Sequence, residues 1–190
     1  SSGKVVLDGK ELKSLSGRAL KTARSKIAWI PQDLGLVPNL RVNQNIACGR
    51  ASEKGFLGLM RSLLLMGSRE KEEVADLLKR VGIKEKIFHR VDHLSGGQQQ
   101  RVAIARALYQ RPEMILADEP VSSVDPERAK SLVELLIGLA REEGQTLVMS
   151  LHDIDLAKRY FDRVIGLREG QVVMDGAPDQ IDLTQLYDLS

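Results

Sequence analysis

Short uninterrupted apolar runs alternate along this chain with longer stretches in which apolar residues recur every three or four positions. The runs are 4–9 (KVVLDG), closed by an Asp-Gly turn signal, 26–32 (KIAWIPQ), 113–120 (EMILADEP), 146–153 (TLVMSLHD) and 163–176 (RVIGLREGQVVMDG). Runs of this kind predict strands. Those at 113–120 and 146–153 are continuous rather than alternating, the pattern of parallel strands buried on both faces. Helices fit between them. Over 70–81, Val74, Leu77, Leu78 and Val81 fall on one helical face, and Gly82 follows as a stop signal. A helix over 98–109 follows Ser-Gly-Gly and ends before Pro112. Asp125-Pro126 supplies an N-cap and a first-turn proline for a helix that presents Leu132, Leu135, Leu136 and Leu139. Strands alternating with helices predict an α/β fold with a mostly parallel sheet. The mainly helical block 43–111, bracketed by strands, reads as a subdomain inserted into a single domain spanning 1–190.

Composition changes this picture little. The 190 residues are 43% hydrophobic and 28% charged, as in ordinary globular proteins. Net charge is +2, from 28 basic and 26 acidic residues, too balanced for a nucleic-acid footprint or a polybasic membrane anchor. The single cysteine, Cys48, excludes an intrachain disulfide and fits a reducing compartment. The first residues lack a charged-then-apolar signal pattern. The apolar stretch 55–67 is broken by Arg61 and falls short of the roughly 20 residues that a membrane-spanning helix needs.

Several strings carry chemistry. In LSGGQQQR (94–101), two glycines after a serine expose backbone N–H groups where a helix begins, the arrangement of an anion site. A serine-capped helix after a tight turn is the plainer reading of Ser-Gly-Gly by itself. MILADEP (114–120) delivers two adjacent carboxylates at a strand's C-terminal end, where open α/β sheets bind ligands. Successive residues there point in different directions, so Asp118 can hold a hydrated Mg²⁺ while Glu119 faces an attacking water. His152 follows the next apolar run and reaches the same sheet edge, where a histidine can donate to a phosphate oxygen. Gln32 ends another run and offers an amide oxygen to a metal or water. Asp125 in SSVDP (122–126) fits a helix cap as well as a functional task. His89 and His93 have metal-ligand spacing, but Arg90 stands where H-E-x-x-H needs Glu, and both read as structural.

In this order the strings resemble the nucleotide-binding domain of ABC ATPases. LSGGQ is similar to the signature motif, MILADE to Walker B with its following glutamate, SSVD to the D-loop, His152 to the switch histidine and Gln32 to the Q-loop glutamine. The resemblance runs essentially from end to end. It implies a P-loop NTPase (RecA-like) core and two such domains packed head to tail, with ATP between the P-loop of one and the signature of the other. It then implies that Ser95, Gly96, Gly97 and Gln98 contact the γ-phosphate on the partner and that Asp118 and Gln32 hold Mg²⁺. Glu119 is the implied general base, His152 steadies the γ-phosphate, and Asp125 helps link the two sites. ATP closes such a dimer and hydrolysis opens it. The 32–50 segment, the hydrophobic insertion after it, 117–129 and 150–170 are similar to phosphonate-import ATPases. There the helical region receives a coupling helix from a transmembrane permease at the cytoplasmic face of the membrane. Phe56, Leu57, Leu59, Met60, Leu63 and Leu64 fit that docking surface, or simply the packing of the subdomain.

Gly3-Lys4 looks like the end of a phosphate-binding loop, yet Val5 follows where Ser or Thr is required, and no G-x-x-x-x-G-K-[ST] occurs in the 190 residues. In the resembling family this segment lies after the P-loop, so Lys4 is not the phosphate lysine and the chain begins downstream of that loop. Two other readings remain open: an ABC-type ATPase of DNA repair or translation, and a non-catalytic regulator. The loss of a central strand predicts unpaired edges, exposed apolar surface and an unstable 190-residue chain. These residues alone are expected to hydrolyse no ATP. A phosphate-release assay that found turnover abolished by Glu119→Gln would overturn this.

Overall fold

The computed structural model describes residues 3–7, 9–121 and 125–180. Three strands form the central sheet: β3 (Ile27–Ile30), β4 (Met114–Asp118) and β5 (Thr146–Ser150). They pair in the order β3-β4-β5, all parallel, with Ile30 opposite Ala117 and Asp118 opposite Ser150. A short hairpin precedes them, β1 (Val6–Leu7) with β2 (Lys10–Glu11). The last apolar run is not one strand. Glu169 and Gly170, both at positive φ, turn it into the antiparallel hairpin β6 (Val164–Arg168) and β7 (Gln171–Gly176).

Seven α-helices flank these strands among the described residues. They are α1 (Gly17–Ser25), α2 (Val42–Ala47), α3 (Ala51–Leu64, kinked at Gly55, whose φ is 66°), α4 (Ser68–Arg80), α5 (Gly96–Tyr109), α6 (Pro126–Glu142) and α7 (Ile154–Tyr160). Helices α2–α5 all lie between β3 and β4 in sequence. The stripe read from periodicity on α4 is buried in full: Val74, Leu77, Leu78 and Val81. On α6, Leu132, Leu136 and Leu139 are buried and Leu135 half-buried. Asp125 caps α6 by accepting the Arg128 N–H, and Pro126 sits in its first turn.

The main core lies where α5 crosses the sheet. Ala28, Ile30, Ile115 and Ala117 on one sheet face join Val102, Ala103 and Ile104 of α5 in a single buried cluster. The other face is more open. Trp29, Leu116 and Val148 are register neighbours across it, and Trp29 and Val148 are 52% and 51% exposed. Beside α5 the chain passes very close at Gly49, where a Cβ would lie 2.5 Å from the Arg106 carbonyl oxygen. Only glycine permits that approach.

Among α3, α4 and α5 the packing is partly ionic. The Tyr109 hydroxyl donates to Glu70 at 3.0 Å, and Lys54 pairs with the same carboxylate. The Arg50 guanidinium stacks on the Tyr109 ring at 4.1 Å and bonds Glu73, which also accepts from Arg111. Burial works against the charge on Glu70, but hydrogen bonds from Lys54, Tyr109 and Ser62 outweigh it and hold the carboxyl below its usual range. Glu73 is lowered in the same way by Arg50 and Arg111. On α3 the six insertion residues divide. Phe56, Leu57 and Leu64 are exposed, whereas Leu59, Met60 and Leu63 are half-buried.

Glu70→Gln leaves the half-buried Lys54 amine without its counter-charge, so urea unfolding of the protein should report a loss of about 1–3 kcal/mol. Because both carboxyls are depressed in the folded state, their contribution is present above about pH 4.3 and lost as pH falls through the lower folded values. Thermal unfolding followed from pH 6 to about pH 3 should therefore show a steep acid decline that Glu70→Gln makes shallower.

Candidate nucleotide site

Parallel pairing brings the C-terminal ends of β3, β4 and β5 to one edge of the sheet. Gln32 lies two residues beyond β3, Asp118 ends β4 with Glu119 next to it, and His152 lies two residues beyond β5. Their side chains meet. The Gln32 Nε2 donates to Glu119 Oε2 at 3.1 Å, and the His152 Nε2 lies 2.6 Å from Glu119 Oε1. The Glu119 side chain is 24% exposed and that of His152 80%, so the histidine reaches in from solvent to a more sheltered carboxylate.

Glu119 has φ 44°, in the left-handed region that costs a non-glycine residue about 1–3 kcal/mol. Such a backbone persists when its surroundings over-determine it. Here its N–H donates to the Ser150 Oγ at 2.8 Å, and the Ser150 hydroxyl donates to Asp118 Oδ1 at 2.8 Å. The next residue is held too: the buried Gln100 side chain of α5 donates to the Pro120 carbonyl at 2.9 Å.

The signature segment forms its own cluster at the start of α5. Ser95 is the N-cap. Its Oγ accepts the Gln98 N–H at 3.4 Å, while Gln98 Oε1 accepts the Ser95 N–H at 3.1 Å. This capping box satisfies two donors within the chain. The Gly96 and Gly97 amides belong to the first helical turn, and a Cβ on either glycine would meet nothing within 4 Å. Their backbone is therefore open to close approach by an anion. The same helix reaches the Q-loop-like segment, since Arg106 donates to the carbonyls of Leu34 at 2.7 Å and Gly35 at 2.5 Å. Asp125 accepts from Arg128 through backbone and guanidinium, which accounts for it as a cap. The other D-loop-like residues, 122–124, lie outside the described residues.

Three contributors were missed by the sequence reading: Ser150, Gln100 and Arg106. Ser150 carried a faint signal, a hydroxyl ending an apolar run. Its position opposite Asp118 comes only from strand register. Among the described residues no three His, Cys, Asp or Glu side chains converge as a metal cage. Asp118 with waters and phosphate oxygens is a donor set that suits Mg²⁺, which keeps much of its hydration and needs one or two carboxylates.

A second feature is a cleft of about 510 Å³ beside β3, lined by Lys21, Arg24, Trp29, Ser52 and Arg106 among others. No helix among the described residues is long and apolar enough to cross a membrane.

The ABC transporter family model matches residues 1–122. The phosphonates import ATP-binding protein PhnC 2 of Trichodesmium erythraeum is 44% identical over 182 residues, covering 95% of this chain and 68% of that protein. PhnC of Thiobacillus denitrificans is 42% identical over 187 residues, covering 98% and 70%. Among solved structures, cbiO1 of Clostridium perfringens, part of the ABC transporter complex cbiONQ, superposes with a TM-score of 0.78 at 30% identity, covering 95% of this chain and 68% of that one. A dimeric ATP-binding cassette in a post-hydrolysis state with ADP and phosphate gives 0.77 at 31% identity, covering 94% and 74%. With its α/β core, its acidic strand end and its capped signature helix, this chain belongs to the ABC transporter family of ATP-binding, ATP-hydrolysing proteins.

Proposed function

We propose that this chain energises a membrane importer for phosphonates or a related small anion, from the cytoplasmic face of the membrane. The observation that carries the ATPase part is Glu119, held by Gln32 and His152 beside Asp118 at the edge where three parallel strands end. The substrate class rests on the relatives named for phosphonate import. Those names favour transport over DNA repair or translation, and no nucleic-acid partner is proposed.

Glu119 is the general base that takes a proton from the attacking water. Gln32 and His152 keep its carboxylate oriented until substrate arrives, and His152, largely exposed, then turns to donate to the γ-phosphate. Asp118 with the Gln32 amide oxygen would hold Mg²⁺, and the ion would supply positive charge beside the phosphoryl oxygens. In the head-to-tail dimer, Ser95, Gly96, Gly97 and Gln98 face the γ-phosphate of ATP bound to the second subunit, a twin of this chain. The open first turn of α5 suits that task. Asp125 lies beside the dimer-linking segment and couples the two sites. The permease docks with a helix against the exposed Phe56, Leu57 and Leu64.

Glu119→Gln in the full-length subunit should lower the ATPase rate by about 10²–10⁴-fold while Mg-ATP binding survives, since only proton abstraction is lost. Full turnover in that variant would overturn the role of Glu119. In vesicles bearing the permease, Phe56→Ser with Leu57→Ser should abolish phosphonate uptake and leave the ATPase rate of the free subunit unchanged. Normal uptake by the double variant would place the docking surface elsewhere.

A further inference from the structure

The structure assigns Ser150 as a positioning residue for both acids of the site: its hydroxyl commits one oxygen of Asp118 and pins the strained peptide of Glu119. The assignment rests on the roles proposed above for those two residues. It starts from register. In the parallel pairing of β4 with β5, Ser150 stands opposite Asp118 as the last residue of its strand. From there Oγ–H donates to Asp118 Oδ1 at 2.8 Å, and the same oxygen accepts the Glu119 N–H at 2.8 Å. One hydroxyl therefore uses its single hydrogen and a lone pair on two successive residues.

Each bond has a separate consequence. The bond to Oδ1 biases the terminal torsion of the Asp118 carboxylate and engages one oxygen, which leaves Oδ2 the freer one to face a metal or its water. At Glu119 the φ of 44° sets the direction in which the side chain leaves the backbone, toward Gln32 and His152. Without an acceptor at Ser150, that amide would lose the partner that helps hold the left-handed geometry. The strand adds a third link, because Ser150 precedes His152 by only two residues. A movement of either acid is thus felt at the base of the histidine. Partners of metal-binding carboxylates typically alter metal affinity or activity by about 10–100-fold when removed.

A β-strand readily accepts a β-branched residue, which supplies an isosteric test. Threonine keeps the hydroxyl, whereas valine keeps the shape and loses it. The full-length subunit would be purified with Ser150→Thr, Ser150→Val and Ser150→Ala. Mn²⁺ affinity in the presence of ATP would be read by electron paramagnetic resonance and kcat by phosphate release. Ser150→Thr is expected to stay within about threefold of the parent in both, while Ser150→Val and Ser150→Ala weaken Mn²⁺ binding and lower kcat by about tenfold or more. Valine matching threonine, or alanine matching the parent, overturns the assignment. Asp118→Asn and Glu119→Gln are measured alongside. If Asp118→Asn binds Mn²⁺ as tightly as the parent and Glu119→Gln turns over at the parent rate, the proposed roles of both acids fail and Ser150's with them. If those two variants are impaired and the Ser150 variants are not, the function stands and only the role of Ser150 is overturned.

Discussion

The pairing of β4 with a parallel neighbour on each side is the constraint on which the site depends. Parallel strands send their C-terminal ends to the same edge, and polar residues stand at or just beyond those ends: Gln32 after β3, Asp118 and Glu119 at the end of β4, Ser150 and His152 at the end of β5. Gln32, Asp118, Glu119 and His152 come from segments separated by many residues, yet they meet because three strands share a direction and a register. A slip of one residue in β5 would turn Ser150 to the other face and carry His152 away from Glu119, since side chains alternate with a period of two.

Helix α5 ties this edge to the rest of the molecule. Its apolar residues fill the main core, Ser95 caps its first turn of open glycines, and its polar side chains reach both loops at the sheet edge. Gln100 holds the carbonyl after the acids, and Arg106 holds two carbonyls just after Gln32. At its far end Tyr109 anchors the ionic cluster of Arg50, Lys54, Glu70 and Glu73. The open first turn of α5 and the loops at the sheet edge are thus fastened to one rigid rod. Displacing the helix axially would disturb both, because interiors are packed too tightly to absorb the shift locally.

Much of this was legible along the chain because its signals are local. The α4 stripe, the Asp125-Pro126 cap and the apolar run ending in Asp118-Glu119 are short-range patterns whose physics acts over a few residues. The insertion on α3 was less legible. Its apolar residues look alike in sequence, and only packing against neighbouring helices separates exposed Phe56, Leu57 and Leu64 from half-buried Leu59, Met60 and Leu63. The last apolar run reads as a single strand, yet Glu169 and Gly170 together turn it into a hairpin, and a glutamate by itself carries no signal of the left-handed backbone it takes here.

The sequence by itself determined the element types, the α/β class, the chemical identity of the acids, amide and imidazole, and the serine-glycine start of α5. Tertiary structure decided which groups touch. That Ser150 bridges Asp118 and Glu119, that Gln32 and His152 take opposite oxygens of one carboxylate, and that Arg106 reaches the turn after Gln32 follow from strand register and helix docking. Those contacts join residues about thirty to nearly ninety positions apart. Local patterning carries no record of such pairs, because they form only when burial of the sheet and α5 brings their backbones together.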